Sequence, residues 1–367
     1  MITRLSDLFP LILASALASL LGGPLWIRLA RRIGLVDVPG SAPHKTHRFP
    51  TPLAGGLLIA SSLGAAYLIL RPEVTRPLAG ILGGAGLVAV WGIADDRKNL
   101  APPAKLAMQI VAGLVLIAAG VQVHITQVPG LDLLLTMLWV VGLTNAFNFV
   151  DSMDGLALGL AAVAAAFFML VTIDSGQPEL SSLSAAMLGA IAGSLFFNIT
   201  PARLFLGDSG SQLLGYLLAA LGIAYTPGHA GLPQELTWFT PIVVLGVPIF
   251  DMALVVLSRL RRRAPIYHAG LDHTYHRLLA LGLEPARSVL VMQLAAMLLA
   301  LTAFVALDAP VWLANFIFAA LVFLGLALMA LLESRLPRPG SEIGRGSGMP
   351  PGPDPAPSPR WGNETRP

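Results

Sequence analysis

Apolar residues run almost unbroken for stretches of near twenty, then give way to short polar connections, and the alternation repeats along the chain to about residue 332. The runs cover roughly 8–30, 52–70, 77–94, 104–121, 131–149, 155–173, 180–198, 210–226, 238–258, 287–307 and 311–332. A helix needs about 20 apolar residues to cross a bilayer core of about 30 Å. A membrane β-barrel would alternate polar and apolar positions instead. The pattern therefore predicts an all-α fold, a polytopic integral membrane helical bundle of about eleven transmembrane helices. Residues 8–30 are too long for a signal-peptide core and no small-residue cleavage site follows, so they read as a retained first span. From about 336 to 367 the chain is Pro, Gly, Ser and charge, which cannot bury enough surface to offset ordering entropy. The expected division is a membrane domain, 1–335, and a disordered tail, 336–367.

Composition agrees. The chain is 55% hydrophobic and only 12% charged, with mean hydropathy +0.75; soluble domains are roughly 25% charged. The net charge is +3 and the pI near 9.5, which reflects loop arginines more than a nucleic-acid surface, and no nucleic-acid partner is expected. There is no cysteine. Disulfides, thiolate catalysis, cysteine-ligated zinc and iron–sulfur clusters are therefore excluded.

Charge placement adds a direction. Even-numbered connections hold only Arg71 and Arg76, whereas odd-numbered ones hold the Arg28 to Arg32 and Arg259 to Arg263 clusters, Lys45, Arg48, Arg97, Lys98 and Lys105. Basic loops stay in the cytoplasm, so the N-terminus is expected outside and the C-terminus inside. The same inner loops collect Asp95, Asp96, Asp151, Asp154, Asp208, Asp272, His268, His273 and His276. Topology does not require acids and histidines there; an enzyme working at that surface does. A secondary transporter of an anionic solute would instead place charges near mid-span and show an inverted repeat.

Five stretches carry the chemistry. Asp95-Asp96 ends the third span, and adjacent carboxylates need a cation or a metal bridging to phosphate; a solvated helix end neutralised by Arg97 and Lys98 is an equal alternative. Asn145, Asn148, Asp151 and Asp154 recur every three residues, with Ser152 and Gly155 placing the helix end near Asp151 and Asp154 in a turn. In Leu206-Gly-Asp208-Ser-Gly-Ser211, glycines admit close approach, Ser209 or Ser211 suits a helix cap, and free helix amides suit phosphate. Asp208 there is either a Mg²⁺ ligand or an ordinary acidic first-turn residue. His273 and His276 share a helix face, but with Asp272 they lack a convincing further ligand for zinc. Finally, Lys45, His47 and Arg48 lie in a Pro- and Gly-shaped loop, 37–56, suited either to phosphate or to anionic lipid.

Taken in order, His44-Lys-Thr-His47 with Pro52 to Gly56, Asp95-Asp96 followed by Lys105 and Gln109, Asn145 to Leu156, Leu206 to Ser211 and Asp272 to Leu278 resemble the polyprenyl-phosphate N-acetylhexosamine-1-phosphate transferases. The resemblance covers roughly 35–280 and is nearest to the bacterial undecaprenyl-phosphate N-acetylglucosamine-1-phosphate transferases. The relatives that transfer phospho-MurNAc-pentapeptide typically carry three consecutive histidines where this chain has His273-Thr-Tyr-His276. Ser152 stands where glycine is common.

The resemblance implies an enzyme in the bacterial cytoplasmic membrane, its site facing the cytoplasm. A polyprenyl phosphate attacks the sugar-bound phosphorus of a UDP-sugar and UMP leaves, the first membrane step of a cell-envelope glycan. The implied donor is UDP-N-acetylglucosamine, with another UDP-N-acetylhexosamine or the pentapeptide-bearing sugar as alternatives. Mg²⁺ is the implied cofactor, with Mn²⁺ as an alternative, and a homodimer is a family-level expectation. Asp208 ligates the metal with Asp154; Asp95 and Asp96 orient or deprotonate the lipid phosphate; Asn145, Asn148 and Asp151 shape the nucleotide side; Lys105 meets the uridine end; His273, His276 and Arg277 hold the diphosphate or sugar; Lys45 and His47 meet phosphate. An aspartyl-phosphate route stays open.

Overall fold

The computed structural model describes residues 4–39, 49–226, 238–265, 270 and 272–334. Lys45 and His47, with His44, Arg48, His268 and the 336–367 tail, lie outside the described residues.

A helix forms in every stretch where the apolar pattern asks for one. In order they are α1 (Leu5–Arg32), α2 (Gly55–Leu70), α3 (Arg76–Lys98), α4 (Pro102–Ala118), α5 (Pro129–Val150), α6 (Leu156–Asp174), α7 (Pro178–Asn198), α8 (Gly207–Ala224), α9 (Thr240–Val244), α10 (Gly246–Arg261), α11 (Thr274–Ala280), α12 (Pro285–Leu307) and α13 (Val311–Ser334). Seven of them (α1, α3, α5, α6, α7, α12 and α13) are long and apolar enough to cross a membrane. The protein is thus a multi-pass membrane helical protein. Proline in the first turn of α3, α4, α5, α7 and α12 fixes where each begins, because a missing N–H costs nothing there.

The ninth apolar stretch differs from the expected single helix. It breaks at Leu245 into α9 and α10. Pro248 contributes to the break: without an N–H it cannot bond to the carbonyl of Val244, so one rung of the ladder is missing there. The loop after α1 also holds more order than expected. β1 (Val36–Asp37) pairs antiparallel with β2 (Thr51–Pro52), and Leu53 bridges to Phe205. Phe205 N–H donates to Pro52 at 2.9 Å, and Gly55 N–H donates to Phe205 at 3.0 Å. The start of α2 is thereby stitched to the segment that enters α8.

α8 is the central post. Every residue from Ser209 to Ile223 is buried, enclosed chiefly by α3, α5 and α2. Close approach is built from small residues: a Cβ on Gly92 would lie 2.4 Å from Ser209 Cα, and one on Gly215 would lie 2.6 Å from the Leu143 carbonyl. Along the edge, α1 packs against α7 through Ser19 and Ser194, whose hydroxyls meet at 3.0 Å. Such small-residue seams suit helices that gain nothing from excluding water. Outward faces are apolar, with Leu21, Leu68 and Phe323 all more than 70% exposed, as lipid contact requires. α13 is the most peripheral helix and packs little of its surface inside the protein.

Candidate active site

The polar groups converge where α3 and α5 end and α4 and α8 begin. α3 stops because Asn99 takes a left-handed conformation, φ 47°, which asparagine tolerates better than most residues. Asp95 sits one turn earlier, 1% exposed, with its Oδ1 accepting the Leu100 N–H at 2.8 Å. Lys105, one turn into α4, places Nζ 2.6 Å from Asp95 Oδ2 and 2.6 Å from Asp208 Oδ2. Asp95 is thus met by Lys105, not by Arg97 or Lys98, which are exposed. Asn148 Nδ2 donates to the other Asp208 oxygen at 2.8 Å and to Ser211 Oγ at 3.0 Å.

The start of α8 corrects one expectation. Neither Ser209 nor Ser211 caps the helix from its own side chain; Ser211 Oγ donates to the Gly207 carbonyl at 2.9 Å. The cap is the Asp96 carboxylate, reaching across from α3 to accept the N–H groups of Asp208 at 2.7 Å and Ser209 at 3.2 Å. Those two amides are therefore not open to phosphate. Gly207 is needed for this: its φ is +69°, and a Cβ would fall 2.7 Å from an Asp96 oxygen. A carboxylate at a helix N-terminus satisfies orphan donors and the positive end of the dipole together.

One turn deeper, on the same three helices, lies a rung of amides. Asn145 Nδ2 donates to Gln109 Oε1 at 2.8 Å, and Gln109 Nε2 lies 3.3 Å from both Asn145 Oδ1 and Gln212 Oε1. Gln109 follows Lys105 by four residues, Gln212 follows Asp208 by four, and Asn145 precedes Asn148 by three, so each site residue stands above one of these amides. Gln212 carried no signal in the sequence beyond that spacing.

α5 ends at Val150 with Asp151 as its cap residue, and Asp154 sits in the following turn, as the spacing of Ser152 and Gly155 predicts. Asp154 Oδ2 accepts the Ala202 N–H at 3.1 Å. Asn198 ties the same turn to the approach of α8, accepting from Gly155 N–H at 2.9 Å and donating to the Leu204 carbonyl at 2.9 Å; no motif pointed to it. Asp151 makes no side-chain hydrogen bond among the described residues. Desolvation by the surrounding protein, then the nearby Asp208, Asp96 and Asp154 carboxylates, holds its pKa well above the usual carboxylate range.

The segment around the start of α11 forms a second cluster. His273 precedes α11 with its ring edge-on to Phe149 at 6.1 Å and 5.7 Å from the His276 ring. Asp272 pairs with Arg259 at 3.1 Å and also with Arg262. Burial would raise its pKa, but the two guanidiniums outweigh that and lower it. Arg277 is 4% exposed and donates to Glu333 at 2.8 Å and to the Asp272 carbonyl at 3.2 Å. Its Nε and Nη1 are thus engaged within the protein, while Nη2 is buried without a hydrogen-bond partner among the described residues.

Among the described residues no three Asp, Glu or His side chains stand ready to hold a metal unaided. Mg²⁺ does not need that: it takes one or two carboxylates and fills the rest of its shell with water and substrate phosphate. The imbalance of Asp95, Asp96, Asp151, Asp154 and Asp208 against Lys105, with the Asp151 carboxylate lacking a donor among the described residues, fits a divalent cation.

Residues 78–226, from the start of α3 through α8, match the model for glycosyl transferase family 4. The chain is 33% identical over 322 residues to the probable undecaprenyl-phosphate N-acetylglucosaminyl 1-phosphate transferase of Bacillus subtilis, covering 84% of this chain and 88% of that one. It is 31% identical to the decaprenyl-phosphate N-acetylglucosaminephosphotransferase of Mycobacterium tuberculosis strain H37Rv, over 72% and 74% of the two chains. Identity to the undecaprenyl-phosphate alpha-N-acetylglucosaminyl 1-phosphate transferase of Escherichia coli K12 is 26%, over 74% and 77%. With Asp95, Asp96, Lys105, Asn148 and Asp208 gathered at one end of an apolar bundle and these relatives matched along most of its length, the chain belongs to glycosyl transferase family 4, as a phosphotransferase of the polyprenyl-phosphate N-acetylhexosamine-1-phosphate kind.

Proposed function

We propose that this chain transfers N-acetylglucosamine-1-phosphate from UDP-N-acetylglucosamine to undecaprenyl phosphate, at the cytoplasmic face of a bacterial inner membrane. The observation that carries the reading is the Lys105 ammonium, 2.6 Å from both the Asp95 and Asp208 carboxylates, at one end of a lipid-facing bundle. A lipid acceptor reaches such a site from the bilayer and a nucleotide sugar from water. The named N-acetylglucosaminyl phosphate transferases among its relatives support the choice of sugar. The bias of basic residues toward the inner connections supports the orientation.

In the proposed reaction an oxygen of the lipid phosphate bonds to the sugar-bound phosphorus, the bond from that phosphorus to UMP breaks, and UMP leaves with the electron pair. Positioning and charge stabilisation carry most of such a transfer. Asp96 anchors the first turn of α8 and so sets Asp208. Asp95 holds Lys105, whose ammonium offers charge to the phosphates, and Asn148 fixes the second oxygen of Asp208. Asp208 and Asp154, with Asp151 beside them, would hold Mg²⁺ or Mn²⁺, which when bound neutralises phosphate charge as a Lewis acid. His273 and His276 face the donor's diphosphate or sugar from the last loop.

The test is transfer of label in detergent. Purified protein, Mg²⁺ and undecaprenyl phosphate are incubated with sugar-labelled UDP-N-acetylglucosamine, and in parallel with the pentapeptide-bearing sugar nucleotide. Label in the lipid phase with release of UMP, from the first donor only and abolished by EDTA, is the expected result. Label from the second donor alone keeps the chemistry and changes the substrate; turnover unaffected by EDTA overturns the metal assignment.

A further inference from the structure

Asp251 lies on α10, fully buried, in the otherwise apolar run Val247-Pro-Ile-Phe-Asp251-Met-Ala-Leu254. A carboxylate there is costly unless both oxygens are satisfied. Both are engaged by the start of one segment. Oδ1 accepts the Thr274 N–H at 2.6 Å, and Oδ2 lies 2.9 Å from His273 Nδ1. An ionised carboxylate only accepts, so the proton of this contact belongs to Nδ1. That leaves Nε2 as the ring atom able to meet a ligand. The ring itself packs edge-on against Phe149, which lies between Asn148 and Asp151 on the catalytic end of α5.

We infer that Asp251 is a positioning residue for the transfer reaction: it holds His273 with the proton on Nδ1 and so presents the bare Nε2, a hydrogen-bond acceptor, to an O–H or N–H of the donor's sugar. The inference rests on the reading above that His273 meets the substrate. Asp251 also anchors the first amide of α11, so a purely structural role must be separated from a chemical one. Asn at this position does so. Its carbonyl can still accept the Thr274 N–H, but its NH₂ then faces Nδ1 and drives the ring proton to Nε2. A buried carboxylate that sets a histidine's tautomer is far more sensitive to this change than a cap is.

The experiment measures transfer by the full-length chain with UDP-N-acetylglucosamine, undecaprenyl phosphate and Mg²⁺, together with thermal unfolding. Asp251→Asn should lower kcat by about ten- to a hundred-fold, with Tm and donor KM near the parent values. Asp251→Asn combined with His273→Ala should fall no further than His273→Ala alone, since groups acting as a unit are not additive. A parental kcat for Asp251→Asn, or additive losses in the double variant, would overturn the inference. Nitrogen NMR of the parent protein labelled at histidine, with His273 assigned through its Ala variant, reads the tautomer whether or not the Asn variant folds. A proton on Nε2 alone sinks the proposal. Failure of the underlying reading looks different: the parent transfers from no UDP-sugar, or His273→Ala keeps full activity. A parental rate for Asp251→Asn beside an impaired His273→Ala removes this inference alone.

Discussion

Lys105 is the pivot at the scale of single residues. Its ammonium is 30% exposed, while the Asp95 it compensates is almost wholly buried. Removing one member of a buried pair leaves an uncompensated charge, at a cost of about 3–5 kcal/mol. Lys105→Met should therefore lower both stability and transfer, the latter by more than about a hundred-fold, given the electrostatic share of such catalysis. Adding Asp95→Asn should recover part of the stability, because the more deeply buried of the two stranded carboxylates, Asp95 and Asp208, is then neutral, and none of the activity. Thermal unfolding beside the transfer assay checks this; a double variant that regains turnover would place Lys105 outside the chemistry. At this scale the sequence offers residue types but not their partners. For Asp95-Asp96 the sequence leaves open a cation, a metal bridging to phosphate, or neutralisation by Arg97 and Lys98; the structure gives Asp95 the Lys105 ammonium from the next helix and Asp96 the first amides of α8. Asp208 stands in the polar cluster, and its helix is capped by Asp96 rather than by its own serines.

Between elements, the amide rung of Gln109, Asn145 and Gln212 holds α4, α5 and α8 in register one turn beneath the site. Interhelical hydrogen bonds in membrane proteins average about 0.6 kcal/mol and reach about 1.7. Gln109→Leu removes the member bonded to both others, so it should cost about 1–2 kcal/mol. It should also lower kcat several-fold through Lys105 and Asp208, without abolishing transfer. Unfolding in detergent with parallel kinetics measures both; a stability loss with parental kcat would confine the rung to packing. Helix existence was legible because apolar runs near twenty residues have few other uses. The break at Leu245 needed the position of Pro248 to be weighed against the run around it. The β1–β2 pair was hidden because two-residue strands have no period to read.

For the molecule as a whole, orientation is the property that places the chemistry. The chain has no cysteine, so each cysteine introduced reports alone. Glu73 and Lys98 are exposed near opposite ends of α3. A membrane-impermeant maleimide applied to intact cells should label Glu73→Cys and leave Lys98→Cys unlabelled until the inner membrane is opened; the reverse pattern would put the Lys105 cluster outside. Composition and periodicity by themselves determined a polytopic helical protein whose ionisable residues gather in alternate connections. The ordered motifs determined the family, because each combines residue types that a bilayer tolerates only for a reason. Only the tertiary structure decided which of those residues meet. Asp96 with the amides of Asp208, Asp95 with Lys105, Asn145 with Gln109, and Asp251 with His273 are contacts between different segments of the chain. Hydrophobic patterning tells a helix which face to bury, but it does not name the neighbour. Neighbours are chosen by close approach at residues such as Gly92, Gly207 and Gly215, and by hydrogen bonds that must close inside an apolar medium.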